Sequence, residues 1–100
     1  MMTILVDNDH VRVTGLERLS AGNSLEFKQL IKLHLTTACR VVEIDCAQIR
    51  FLDSDGLGAL ICIHKWIAPH GGKVRLKQPS ELVRQLLGRL HLDEIFELTP

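Results

Sequence analysis

The hydrophobic pattern divides the chain into short alternating segments. Thr3 to Val6 is a brief apolar run, and Val11 to Thr14 alternates apolar with polar, the period of a strand with one buried face. Asp7-Asn8-Asp9 lies between them. Asn and Asp bond to their own backbone and tolerate left-handed angles, so the two runs predict an antiparallel hairpin. Further on, Phe27, Leu30, Ile31, His34, Leu35 and Ala38 recur at spacings of three and four, one stripe of a helix spanning 23–38. Asn23, followed three residues later by Glu26, resembles a capping box at its start. His34 lies on the stripe and reads as a residue at the edge of the core, not a ligand, because no Cys or carboxylate shares its spacing.

Val42, Ile44 and Cys46 alternate with Glu43 and Asp45 in a β-rich run, and a second short run follows at Ile49 to Leu52. From Leu57 to Ile67 almost every residue is apolar or small, with Leu57, Leu60, Ile61 and His64 on one face. This predicts a helix over 55–68 that is either buried or used for docking. Pro69-His70-Gly71-Gly72 ends it. Lys73, Arg75 and Lys77 alternate with Val74 and Leu76 in a strand whose charged face is solvated; no aromatic residues interleave them as a nucleic-acid surface would require. Ser80 caps a helix over 80–90 carrying the stripe Leu82, Val83, Leu86, Leu87 and Leu90, and Ile95 to Leu98 closes as a strand. The order β-β-α-β-α-β-α-β predicts an α/β fold: a mostly parallel sheet with right-handed crossovers and one antiparallel hairpin at the start.

Length and charge narrow the possibilities. One hundred residues form a single domain, 1–100. Twelve basic and twelve acidic side chains balance overall, six against six in each half, leaving no net field to attract nucleic acid or an anionic membrane. No apolar run approaches the ~20 residues of a membrane span, and Met1 to Asp9 lacks the pattern of a signal peptide. Cys39, Cys46 and Cys62 form no C-x-x-C pair and read as reduced, largely buried thiols of a cytoplasmic protein. His10, His34, His64, His70 and His91 show no metal-ligand spacing, and no cofactor is expected.

One segment carries chemistry. In Phe51-Leu52-Asp53-Ser54-Asp55-Gly56-Leu57-Gly58 a strand delivers two acids and a hydroxyl to a loop that opens a helix. Partner and ligand sites of open α/β sheets lie at such strand ends, and a helix start favours anions. Ser or Asp before a helix is most often only a cap, and Asp53, Ser54 and Asp55 all qualify. There is no G-x-S-x-G elbow, and Gly71-Gly72-Lys73 precedes a strand, unlike a P-loop. Neither an acyl-transfer enzyme nor a phosphate-binding P-loop is therefore expected.

From Val41 to Cys46 and on through Phe51 to Leu60, the sequence resembles the signature of the STAS family, shared by sulphate transporters and bacterial anti-sigma factor antagonists. Gly71 to Leu76 and Pro79 to Arg84 are similar to the family too. The resemblance covers nearly the whole chain and implies a STAS-like fold. It also implies a regulator that binds an anti-sigma factor or GHKL-type serine kinase through Asp53, Ser54, Asp55, Gly56, Leu57 and Gly58, with the exposed side of the following helix. In such antagonists a Ser or Thr of the D-S-[ST]-G-L-G loop is phosphorylated, and the contact breaks. Here Asp55 occupies that position. Asp55 then acts as a permanent partial phosphate mimic, or Ser54 is the acceptor, or the switch is lost. Many antagonists add a C-terminal helix after the last strand, whereas this chain stops at Pro100. The short ending is shared with the STAS subunit of bacterial lipid-transport ABC systems, which grips the transporter ATPase, and this is the alternative reading.

Overall fold

The computed structural model describes residues 2–100. Strands β1 (Thr3–Asp7) and β2 (His10–Thr14) form the expected hairpin, with Asp7 opposite His10 across a two-residue loop. Asn8 takes the left-handed conformation at φ 55° that this tight reversal needs. Parallel additions of β4 (Val41–Asp45), β6 (Lys73–Lys77) and β7 (Glu97–Thr99) complete a five-stranded sheet in the order β1-β2-β4-β6-β7.

A small parallel sheet, absent from the periodicity reading, joins β3 (Arg18–Leu19) to β5 (Phe51–Leu52). Two residues per strand are too few for a period to show. The pairing is extended by the Arg50 N–H, which donates to the Glu17 carbonyl.

Val11, Val13, Val42, Ile44, Val74 and Leu76 form one fully buried face of the main sheet. Phe27 and Ile31 of α1 (Ser24–His34), Leu60 and Ile63 of α2 (Ser54–Ile67) and Leu87 of α3 (Glu81–Arg89) join them in one core. The other face carries Arg12, Glu43, Arg75 and Glu97. Cys39 and Cys46 are buried and Cys62 half-buried. Burial, reinforced by the neighbouring Asp45 carboxylate, pushes the Cys46 thiol up to about 12.

Several boundaries differ from expectation. Helix α1 ends at His34, not 38, and Leu35 is already extended. The following Thr36 and Thr37 are β-branched, and the Thr36 hydroxyl accepts the Ala38 N–H at 3.2 Å, competing with helical bonding. Ala38, assigned to the stripe, is therefore exposed outside the helix. Asn23 makes no side-chain cap. Its amide instead accepts from the Ser20 N–H and donates to the Arg18 carbonyl, closing the loop ahead of α1.

Ser80 does cap α3, accepting from the Val83 N–H at 3.2 Å. Of its apolar stripe, Leu82 and Leu90 are exposed. The last strand starts two residues late, because a 3-10 turn at Leu92–Glu94 ties the Ile95 and Phe96 amides to the Leu92 carbonyl. Trp66 is half-buried against the core, with the Lys32 ammonium 5.4 Å from its ring centroid.

Candidate partner-binding site

The loop at the start of α2 is built around Asp53. Extended at φ −116°, ψ −173°, it is the N-cap of the helix. One carboxylate oxygen accepts the Gly56 N–H at 2.9 Å, and the other accepts the Ala21 N–H at 3.1 Å from the loop before α1. The first of these bonds satisfies an amide that the helix leaves unpaired. The second fastens two distant loops together. Both favour the charged form, Gly56 foremost, and hold the Asp53 carboxyl below the usual carboxylate range.

The consequence for pH follows from the sign of that shift. With its folded pKa depressed, Asp53 stabilises the protein above the ordinary carboxylate value, and this contribution disappears as pH falls through the folded value. Asp53→Asn is therefore expected to lower the urea midpoint at neutral pH. The gap between variant and wild type should close as pH is taken from about 5 to about 2; a gap that stays constant across the titration would refute the charged-cap assignment.

The six residues assigned to this site divide by position. Ser54 and Asp55 are exposed, while Asp53 and Gly58 are half-buried. Gly56 and Leu57 are buried, Leu57 at 6% exposure, so their side of the helix start faces the core. Their place in a contact surface is backbone and support, not side chain. Asp53 alone does the capping that three residues could have done. Ser54 and Asp55 make no side-chain hydrogen bond within the described residues and stand in the first turn of α2 with free polar ends. The carboxylate of Asp55 is favourably placed at the positive end of the helix.

Gly56 has a steric reason. An added Cβ would lie 2.1 Å from the Leu19 carbonyl oxygen and 2.9 Å from Cδ1 of Leu52. The start of α2 thus sits directly against the β3–β5 pair. Gly58 is the reverse: nothing lies within 4 Å of where its Cβ would be, and the helix backbone is bare there. On the helix face beyond it, Ile61 and Cys62 are half-buried and Lys65 is exposed.

Two neighbours were not among the expected site residues, and one of them, Leu82, belongs to the stripe expected to be buried on the last helix. Phe51 is 51% exposed with the Arg18 guanidinium 5.8 Å from its ring centroid, and Leu82 is 71% exposed. With Leu52 and Leu86 they line a shallow groove beside the loop. An aromatic residue two positions before Asp53 was the available signal. Among the described residues no group of three His, Cys, Asp or Glu side chains is arranged to hold a metal.

This geometry can be compared with known proteins. A family model for the STAS domain matches residues 3–100. The chain belongs to the STAS domain family. Its fold is that of solved STAS proteins. A proposed anti-sigma factor antagonist of Thermotoga maritima superposes with a TM-score of 0.87 at 22% identity, over 99% of this chain and 86% of the other. The anti-sigma factor antagonist SpoIIAA in its unphosphorylated form gives 0.84 at 17%, over 100% and 89%. The Bacillus cell fate determinant SpoIIAA in the phosphorylated form gives 0.77 at 16%, over 100% and 92%. At these identities the likeness is one of fold.

Within the STAS frame, the expected α/β architecture stands, with its parallel sheet, antiparallel β1–β2 pair and three helices. Among the described residues no helix is long and apolar enough to cross a membrane.

Proposed function

We propose that this STAS domain is a regulatory binding module of the anti-sigma factor antagonist kind. Its partner is an anti-sigma factor or a GHKL-type serine kinase, and it docks through the Asp53–Gly58 loop and the outer side of α2. The observation that carries this reading is the division of labour in the loop. Asp53 fixes the backbone, Gly56 seats it against β3, and Ser54 and Asp55 are left exposed with no internal task. Bare helix at Gly58 allows close backbone approach, and Phe51 and Leu82 offer apolar anchors beside it. Kinship with folds solved as anti-sigma factor antagonists supports the same reading.

Regulation is altered at Asp55. A phosphoryl group would bring about −1.5 to −2 charge to this helix start; the carboxylate brings about −1 permanently. Asp55 therefore acts as a partial mimic that weakens, without abolishing, the contact, and Ser54 is the hydroxyl left for a kinase. The protein works by binding, with no chemistry of its own at Ser54.

The test is direct titration against the anti-sigma factors and GHKL kinases of the source organism. Asp55→Ser is expected to bind roughly tenfold more tightly, a gain of about 1.4 kcal/mol, and to lose that gain when phosphorylated. Equal affinity of variant and wild type would reject the mimic. Binding of an ABC transporter ATPase alone would overturn the antagonist reading in favour of the transport subunit.

A further inference from the structure

We propose that the open face of the main sheet is a self-association surface. In this assembly two copies pack sheet to sheet about a two-fold axis that runs parallel to the strands, between β4 and β6. The charge order on that face is the evidence. Arg12, Glu43, Arg75 and Glu97 stand in register on four adjacent strands, a row of alternating sign. Within one chain they are already linked. Arg75 Nε donates to Glu97 Oε2 at 3.0 Å, Arg75 Nη1 lies 3.5 Å from Glu43 Oε1, and Arg12 Nε lies 4.0 Å from Glu43 Oε2. The hydrogen bond from Arg75 to Glu97, with Glu43 adding to it, holds Arg75 above its ordinary pKa. The row is fixed in place, so its pattern is a stable feature of the surface.

An even row of alternating charges is complementary to itself when its order is reversed. A two-fold axis along the strands reverses the order. Arg12 then faces Glu97 of the second copy, Glu43 faces Arg75, and each pair occurs twice. The neighbouring row obeys the same operation: Asp45 pairs with Lys77 in register within one chain, and Asp45 of one copy falls opposite Lys77 of the other. Lys73 falls opposite Val41, and Thr14 opposite Thr99. No like-charged residues of these rows oppose each other. A two-fold axis across the strands does the opposite, setting Arg75 on Arg75 and Glu43 on Glu43. The sequence therefore selects one symmetry, and an isologous interface of this kind closes at two copies. Aligned sheets pack within about 30° of each other, which the operation permits.

The surface is modest. The four strands that overlap, about 4.8 Å apart and up to about 17 Å long, offer roughly 300 Å² per copy, below the usual size of a stable interface. The dimer is accordingly weak and sensitive to salt, which screens exposed charges. The helices cover the other face, so both Asp53–Gly58 loops stay free, and a dimer presents two of them to a bivalent partner.

Sedimentation of the wild-type chain from micromolar to millimolar concentration tests this, alongside amide-shift NMR on dilution. The expected result is a reversible dimer that weakens as NaCl is raised, with shifts concentrated on β2, β4, β6 and β7. Glu43→Arg alone and Arg75→Glu alone should each be monomeric, since each sets like charges together. An equimolar mixture of the two should dimerise. The two central positions of the row, both positive in one variant, then face central positions that are both negative in the other, while Arg12 still faces Glu97 at each end. Restored association on mixing cannot come from repair inside either chain. If charge reversal prevents folding, Glu43→Gln and Arg75→Gln replace it, with weaker association and a flatter salt dependence expected. A wild-type monomer at millimolar concentration, dilution shifts centred on α2, or folded reversal variants that fail to associate on mixing would each overturn the proposal.

Discussion

Gly56→Ala is expected to destabilise the domain by about 3 kcal/mol or more. In most helices the same exchange stabilises by up to about 1 kcal/mol, because alanine has less backbone freedom to lose. Here the added methyl carbon would lie 2.1 Å from the Leu19 carbonyl oxygen and 2.7 Å from the Leu19 carbonyl carbon. These are backbone atoms of β3, held by pairing to β5, so they cannot turn aside as a side chain could. Relief requires moving the start of α2 away from the small sheet, and that movement strains both carboxylate bonds of Asp53. The loss is a large part of the 5–15 kcal/mol typical of a domain. It should be read as a fall of about 1–3 M in the urea midpoint. Gly58→Ala is the control. With open space at that position, it should raise stability by up to about 1 kcal/mol while impeding partner approach. If the two variants behave alike, the steric assignment of Gly56 is wrong.

The contrast between these two glycines marks what the sequence could disclose. Both stand in the same six-residue signature, and the resemblance to STAS proteins located that signature, its strand before and its helix after. What it could not supply was the other half of the contact. Leu19 and Ala21 lie more than thirty positions upstream, and they meet the loop only because a two-residue strand pairs there. An element that short carries no period. The same limit explains Asn23, whose spacing to Glu26 matched a capping box. Its amide found partners at Arg18 and Ser20, a choice made by loop closure and not by local propensity. Conversely, the central strands β2, β4 and β6 were legible because each presents a buried face to the helices, and burial on one side imposes alternation on the residues. Asp53, Ser54 and Asp55 were equally good caps on paper. The two hydrogen bonds that Asp53 accepts, from the Gly56 and Ala21 N–H groups, distinguish the residue that anchors the loop from the two left outward.

Leu57 and Leu60 decide whether the face of α2 that continues from this loop is core or contact. As a run of apolar residues it fits either. At 6% and 3% exposure the two side chains are core, packed in one cluster with Val74, Leu76 and Ile63. Truncating either to alanine is expected to cost about 2–5 kcal/mol, the transfer of the lost groups plus the cavity they leave. Affinity for a partner, measured where the variants remain folded, should change little for Leu60→Ala, whose side chain cannot reach a docked surface. Phe51→Ala and Asp55→Ser should behave inversely, with stability within about 0.5 kcal/mol of wild type and binding altered. Chemical denaturation and titration on the same four proteins separate the two classes. Leu60→Ala with unchanged stability and lost binding would place the docking surface on the wrong side of the helix. The helix would then have to rotate about its axis to expose that stripe. Its N-terminus could not follow such a rotation while Gly56 is seated against the Leu19 carbonyl and Asp53 holds Ala21, so the anchoring of the loop and the burial of the stripe stand or fall together.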